Sequence, residues 1–135
     1  MIRVVVADDH GIVRKGLRFL LQQEPDIEIL AEAGDGREAV RLTKEHKPDV
    51  LILDIAMPHL NGIEAASQAM SASPTTGVII LSMYSDEEFL IRALNAGAKG
   101  YLLKDSAEPD LVRAVRAAAR GKTFFSPDIA HMLFE

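Results

Sequence analysis

The chain has 135 residues, 48% of them apolar and 26% charged, with a formal net charge of -5 and no cysteine. That length suits one domain with a core of its own, and the missing cysteines exclude disulfides as its support. The composition lacks the clustered Lys and Arg that wide contact with nucleic-acid phosphates relies on, and no apolar run approaches the roughly 18 residues of a membrane span.

The chain enters the strand-like "IRVVVA" directly after Met1, without the basic and apolar regions of a secretory signal, so a cytoplasmic location is expected. Val13, Leu17, Leu20 and Leu21 then fall on one helical face, with Gly16 inside that helix as a candidate for close packing. "IEILAEA" is the second strand, and Asp35-x-x-Glu38 is a capping box that opens the next helix. "DVLILD" is the third strand, closed by Asp54. After it, Met57-Pro58 keeps the loop extended, while Asn61-x-x-Glu64 caps a helix and Gly62 allows a tight start. "GVIILS" is the fourth strand, and Ser85-x-x-Glu88 precedes a helix whose Phe89, Leu90, Ala93 and Leu94 share a face. Gly97 ends it, "GYLLK" is the fifth strand, Pro109 fits the first turn of the last main helix, and Gly121 closes that helix. Arg113, Arg116, Arg120 and Lys122, near its end, read as a solvated face that complements the helix dipole.

Five apolar strands alternating with amphipathic helices imply an α/β fold: a parallel sheet covered on both faces, with right-handed crossovers. The expected architecture is the flavodoxin-like, doubly wound (βα)5 three-layer sandwich, with five strands in the order 2-1-3-4-5. In such sheets ligands bind outside the carboxyl ends of the strands, where the order reverses. The residues placed there are Asp8-Asp9 after strand one, Asp54 after strand three, Ser82 after strand four and Lys104 after strand five.

Taken singly, an Asp after a strand is a turn former or helix cap, Ser82 a turn residue and Lys104 a solvated strand end. Together on one rim they make a chemical set. Three carboxylates at close range repel until one takes up a proton or a cation intervenes. All-oxygen ligands favour a hard ion, and few side chains with several waters suit Mg²⁺ better than Ca²⁺. A carboxylate can attack phosphorus to give an acyl phosphate, and Asp54 is the candidate nucleophile, with Lys104 and Ser82 placed to pair with phosphoryl oxygens.

With "VVVADDH", "LILDIAMPHLNG", "IILSMY" and "GAKGYLLKD" in this order and spacing, the chain resembles the receiver domain of a two-component response regulator, from Ile2 to about Gly121. The resemblance implies that Asp54 is the phosphoacceptor for a cognate histidine kinase. It implies that Asp9, Asp54 and the backbone carbonyl of Ala56 ligate Mg²⁺ directly and Asp8 through water. It makes Ser82 the hydroxyl that follows the phosphoryl group, Tyr101 the aromatic switch, and Lys104 the cation on a phosphate oxygen. The implied output is a shifted equilibrium on the surface of helix four, strand five and helix five, leading to dimerisation. On this reading the domain assists its own phosphorylation and dephosphorylation but is no enzyme in the ordinary sense.

Many receivers carry Pro after the strand-five lysine, where this chain has Asp105. Lys-Asp, with "LSMYSDEEF", "ALNAGAKGYLLK" and "AARGKTFFSP", is usual in the NarL/FixJ subfamily, whose receivers precede a LuxR-type helix-turn-helix domain that would supply any DNA contact. The expected organisation is a receiver over residues 1–121 and a linker with one short helix from near Ser126-Pro127 over 122–135, the output domain being absent from this stretch. Phe124, Phe125, Leu133 and Phe134 are expected to pack back on the domain. His10 and His59 read as exposed loop residues, His46 and His131 lie on helices, and none has the paired spacing of a metal site. Two other readings compete. A hydrolase of the haloacid dehalogenase type also forms an aspartyl phosphate, but with Asp-x-Asp after strand one, and an interaction module could keep the fold without using phosphate.

Overall fold

The computed structural model describes residues 1–55, 61–83, 87–104 and 110–133. Among them, strands β1 (Ile2–Ala7), β2 (Ile27–Ala33), β3 (Val50–Asp54), β4 (Gly77–Ser82), β5 (Gly100–Leu103) and β6 (Phe124–Phe125) alternate with six helices. These helices are α1 (Gly11–Gln22), α2 (Gly36–His46), α3 (Gly62–Ala72), α4 (Glu87–Asn95), α5 (Leu111–Ala119) and α6 (Pro127–Leu133). The strands pair in parallel in the order β2-β1-β3-β4-β5-β6. The expected 2-1-3-4-5 sheet is therefore present, extended by one short strand.

Side-chain alternation along each strand explains the layers. Val4, Val6, Val50, Ile52, Ile79, Leu81 and Leu102 face one core, against Leu17 and Leu21 of α1 and Leu111, Ala114 and Val115 of α5. Val5, Leu51, Leu53, Val78, Ile80 and Tyr101 face the other, against α2, α3, α4 and Ile129 of α6. Burial on both faces is why the central strands read as almost unbroken apolar runs.

The helix starts follow the sequence. The Asp35 carboxylate accepts a hydrogen bond from the Glu38 amide, and the Asn61 side-chain oxygen accepts from the amides of Ile63 and Glu64. Gly97 and Gly121 adopt φ of 97° and 75°, the left-handed geometry expected of helix-terminating glycines. The end of α2 is different: Lys47 takes that conformation at φ 46° without being glycine. Ser85, Met57-Pro58, His59, Asp105, Pro109 and Phe134 lie outside the described residues.

Three expectations are corrected. A Cβ built on Gly16 meets no atom of the described residues within 4 Å, and this glycine lies on an exposed part of α1 rather than at a close-packed contact. Of the basic residues read as a solvated face, Arg113, Arg120 and Lys122 are exposed, but Arg116 is half-buried. Arg116 Nε lies 3.0 Å from Asp26 Oδ2 and its Nη2 2.8 Å from Glu24 Oε1, tying α5 to the turn before β2. Arg113 lies over the Phe124 ring, 5.6 Å from its centroid. The stretch "KTFFSP", expected as linker, instead adds a short strand that pairs Phe124 with Gly100 and Phe125 with Tyr101 along β5.

Candidate functional site

Where the strand order reverses, β1 and β3 lie side by side, with Ala7 opposite Leu53. Their next residues, Asp8 and Asp54, therefore emerge at one level. Asp54 stands opposite Leu81 of β4, which puts Ser82 one residue further on, and Ser82 in turn stands opposite Leu103, the residue before Lys104. The parallel register alone thus delivers an acid pair, an acid, a hydroxyl and an amine to one rim.

Side-chain geometry closes the set. Lys104 Nζ donates to Asp54 Oδ2 at 2.9 Å and sits 3.1 Å from Asp8 Oδ2. Asp8 is 0% and Asp54 2% exposed, and Ser82 is fully buried. Asp54 is therefore not an acid aimed freely at solvent: it is buried with the Lys104 ammonium against it. Burial works against the Lys104 charge, but the hydrogen bond to Asp54 and the contact with Asp8 outweigh it, so the ammonium holds its proton above the ordinary lysine range.

Neighbouring groups fix the acids. Asp8 Oδ1 accepts from the His10 amide at 2.8 Å, its backbone amide donates to the Ala33 carbonyl, and its carbonyl accepts from Arg14 Nη1 at 2.6 Å. Arg14 is braced in turn by Glu32 on β2, 3.2 Å from its Nε. Below Asp54, the first turn of α3 packs so tightly that a Cβ on Gly62 would overlap the Asp54 carbonyl oxygen and come within 2.6 Å of Ile55 Cα. Only glycine fits there, and the Gly62 amide donates to the Ile55 carbonyl at 2.9 Å.

The carboxylates of Asp8, Asp9 and Asp54 and the imidazole of His10 each offer a ligand atom within 4.8 Å of the others. Three acids face one lysine, an excess of negative charge that burial makes costly. Asp8 Oδ2 is buried and, despite its contact with Lys104, receives no hydrogen bond among the described residues. Such a set fits a hard divalent cation. His10 is the residue that sequence reading set aside. It stays exposed as expected, yet its Nδ1 lies 3.1 Å from Asp9 Oδ1 and 3.3 Å from Asp8 Oδ1. Its adjacency to the acid pair was the signal that could have found it. Ala56 lies outside the described residues. Tyr101 is fully buried on β5 in the core shared with Ile129.

Residues 4–116 match the family model for the response regulator receiver domain. The chain belongs to that family. Receivers of this family are signalling switches, and this one is of the NarL/LuxR type. It is 46% identical over 124 residues to the transcriptional regulatory protein YxjL of Bacillus subtilis, an alignment covering 92% of this chain and 57% of YxjL. The signal receiver domain of a NarL response regulator from Mycobacterium tuberculosis superposes with a TM-score of 0.85 at 38% identity, over 90% of this chain and 98% of that one. A LuxR-family response regulator from Aurantimonas gives a TM-score of 0.92 at 37% identity, over 98% of this chain and 94% of that one. The receiver spans about half the length of the first curated relatives it matches, 57% and 52%. Among the described residues, no helix is long and apolar enough to cross a membrane.

Proposed function

We propose that Asp54 accepts a phosphoryl group from the phosphohistidine of a cognate histidine kinase. The observation that carries this reading is the Lys104 clamp, with one ammonium on both Asp54 and Asp8 at the strand ends. An Asp54 carboxylate oxygen attacks phosphorus, the phosphorus–nitrogen bond breaks, and the donor imidazole keeps the electron pair. Lys104 then moves from the carboxylates to a phosphoryl oxygen, where it neutralises charge without a change of partner strand.

Asp9, Asp54 and the Ala56 carbonyl would hold Mg²⁺ directly, and Asp8 through water; the ion supplies charge neutralisation at the transferring oxygens. The Ser82 hydroxyl donates to the added group, and Tyr101 refills the space behind it. This shifts a pre-existing equilibrium of the surface of α4, β5 and α5 toward a homodimer. Residues 1–121 form the switching unit, residues 122–135 lead toward a helix-turn-helix output domain that makes the DNA contacts, and the whole works in the cytoplasm. The same rim assists attack by water on the acyl phosphate, which resets the switch.

Incubation with Mg²⁺ and a small acyl-phosphate donor, followed by intact-mass measurement, tests the assignment. One phosphoryl adduct is expected for the wild type and none for Asp54→Asn. An adduct that survives Asp54→Asn, or none on the wild type under any condition, refutes it.

A further inference from the structure

His10 occupies the N-cap position of α1 with φ -92° and ψ 108°, yet its side chain makes no capping hydrogen bond. The imidazole, 63% exposed, instead lies over the outer side of the acid cluster. Its Nδ1 is 3.1 Å from Asp9 Oδ1, 3.3 Å from Asp8 Oδ1 and 4.0 Å from Asp54 Oδ2. The His10 backbone is held in register by its own amide, which donates to Asp8 Oδ1 at 2.8 Å.

The three distances from His10 Nδ1 are those of a metal ligand. Around an octahedral ion with bonds of about 2.0–2.1 Å, adjacent donors stand about 3 Å apart and opposite donors about 4.2 Å apart. His10 Nδ1 is thus spaced as a neighbour of the Asp9 oxygen and as the opposite donor to Asp54, with Asp8, which would act through water, beside it. A second feature points the same way: among the described residues, buried Asp8 Oδ2 receives no hydrogen bond although it lies 3.1 Å from Lys104 Nζ.

We infer that His10 is an additional ligand of the ion these acids hold, and that its imidazole tilts the site from Mg²⁺ toward a divalent first-row transition ion. The inference rests on the reading that the rim binds a cation. Its chemical reason is donor type: imidazole nitrogen binds borderline ions far better than it binds Mg²⁺, whereas carboxylates serve both. An all-carboxylate rim would select a hard ion alone; the Asp-Asp-His sequence makes a mixed nitrogen–oxygen site.

The test titrates Co²⁺ and Mg²⁺ separately into the wild type, His10→Ala, His10→Gln and Asp9→Asn at one fixed, mildly alkaline pH. Binding is read by equilibrium dialysis, ligand type by the visible absorption of Co²⁺, and folding by circular dichroism. Both His10 variants are expected to lower the Co²⁺ to Mg²⁺ affinity ratio about tenfold or more while Mg²⁺ binding holds within about twofold. The Co²⁺ band should move toward that of all-oxygen ligation. Asp9→Asn should weaken both ions. An unchanged ratio and spectrum in the His10 variants, with metal binding intact, overturns the His10 assignment alone. A parallel fall of both ions in those variants also overturns it. A wild type that binds neither ion overturns it together with the cation-site reading, a result Asp9→Asn would leave unchanged.

Discussion

Charged groups gather at both ends of the sheet, under different rules. At the amino end, Arg116 bridges Glu24 and Asp26 with every partner at least partly in water. At the carboxyl end, Lys104 bridges Asp8 and Asp54, and all three side chains are at least nine-tenths buried. Each cluster sets one cation between two acids, and the rim adds Asp9. In water the leftover negative charge of the first costs almost nothing, while the low-dielectric rim leaves it as an unmet demand for a cation. Similar pairing therefore yields a structural strut in one place and a receptive site in the other.

The comparison is sharpest where one cation is removed. Lys104→Met leaves two buried carboxylates facing each other, and the stability in urea should fall by about 3–5 kcal/mol. Adding Asp8→Asn to that variant should return part of the loss, because one of the repelling charges goes with it; no recovery would mean the rim is not held together by charge. Next in size is the ion itself. At a Mg²⁺ concentration about a hundredfold above its dissociation constant, the wild type should gain about 2.7 kcal/mol, a gain that Arg116→Ala keeps and Asp9→Asn reduces.

Arg116→Ala should have the smallest effect, a slight fall in the midpoint of thermal unfolding, since exposed pairs contribute little. Its pH dependence has a definite sign. The Arg116 guanidinium holds the Asp26 carboxyl below the usual carboxylate range. The pair's contribution is therefore fully present above the unfolded carboxylate value of about 3.9 and is lost as pH falls through the lower folded value. The gap between wild type and Arg116→Ala should stay flat at neutral pH and close in acid. A gap that widened in acid would show that Arg116 acts through packing with other groups.

Much of this contrast was legible in the sequence, and the exceptions have physical causes. The strands stood out because burial on both faces enforces near-continuous apolar runs, and parallel pairing then places every strand end on the rim by counting alone. Asp8, Asp9, Asp54, Ser82 and Lys104 could be gathered that way. The strut could not, because Asp26 and Arg116 are far apart along the chain and only the fold brings α5 within reach of the turn before β2. His10 was adjacent to the acid pair, but a histidine on an exposed turn does not show by its sequence alone which way its ring turns. The strand at Phe124–Phe125 is too short for a period-two pattern, and Lys47 adopts a left-handed helix end with no glycine to announce it.

Phe124 and Phe125 take up the side of β5 away from β4. Without them the sheet would finish in a ladder of unsatisfied amides and carbonyls, the kind of margin that recruits a foreign strand. The short tail thus acts as a guard on the outermost strand. Trimming it back to Gly121 would bare the backbone edge of β5 at Gly100 and Tyr101, right beside the buried Tyr101 ring.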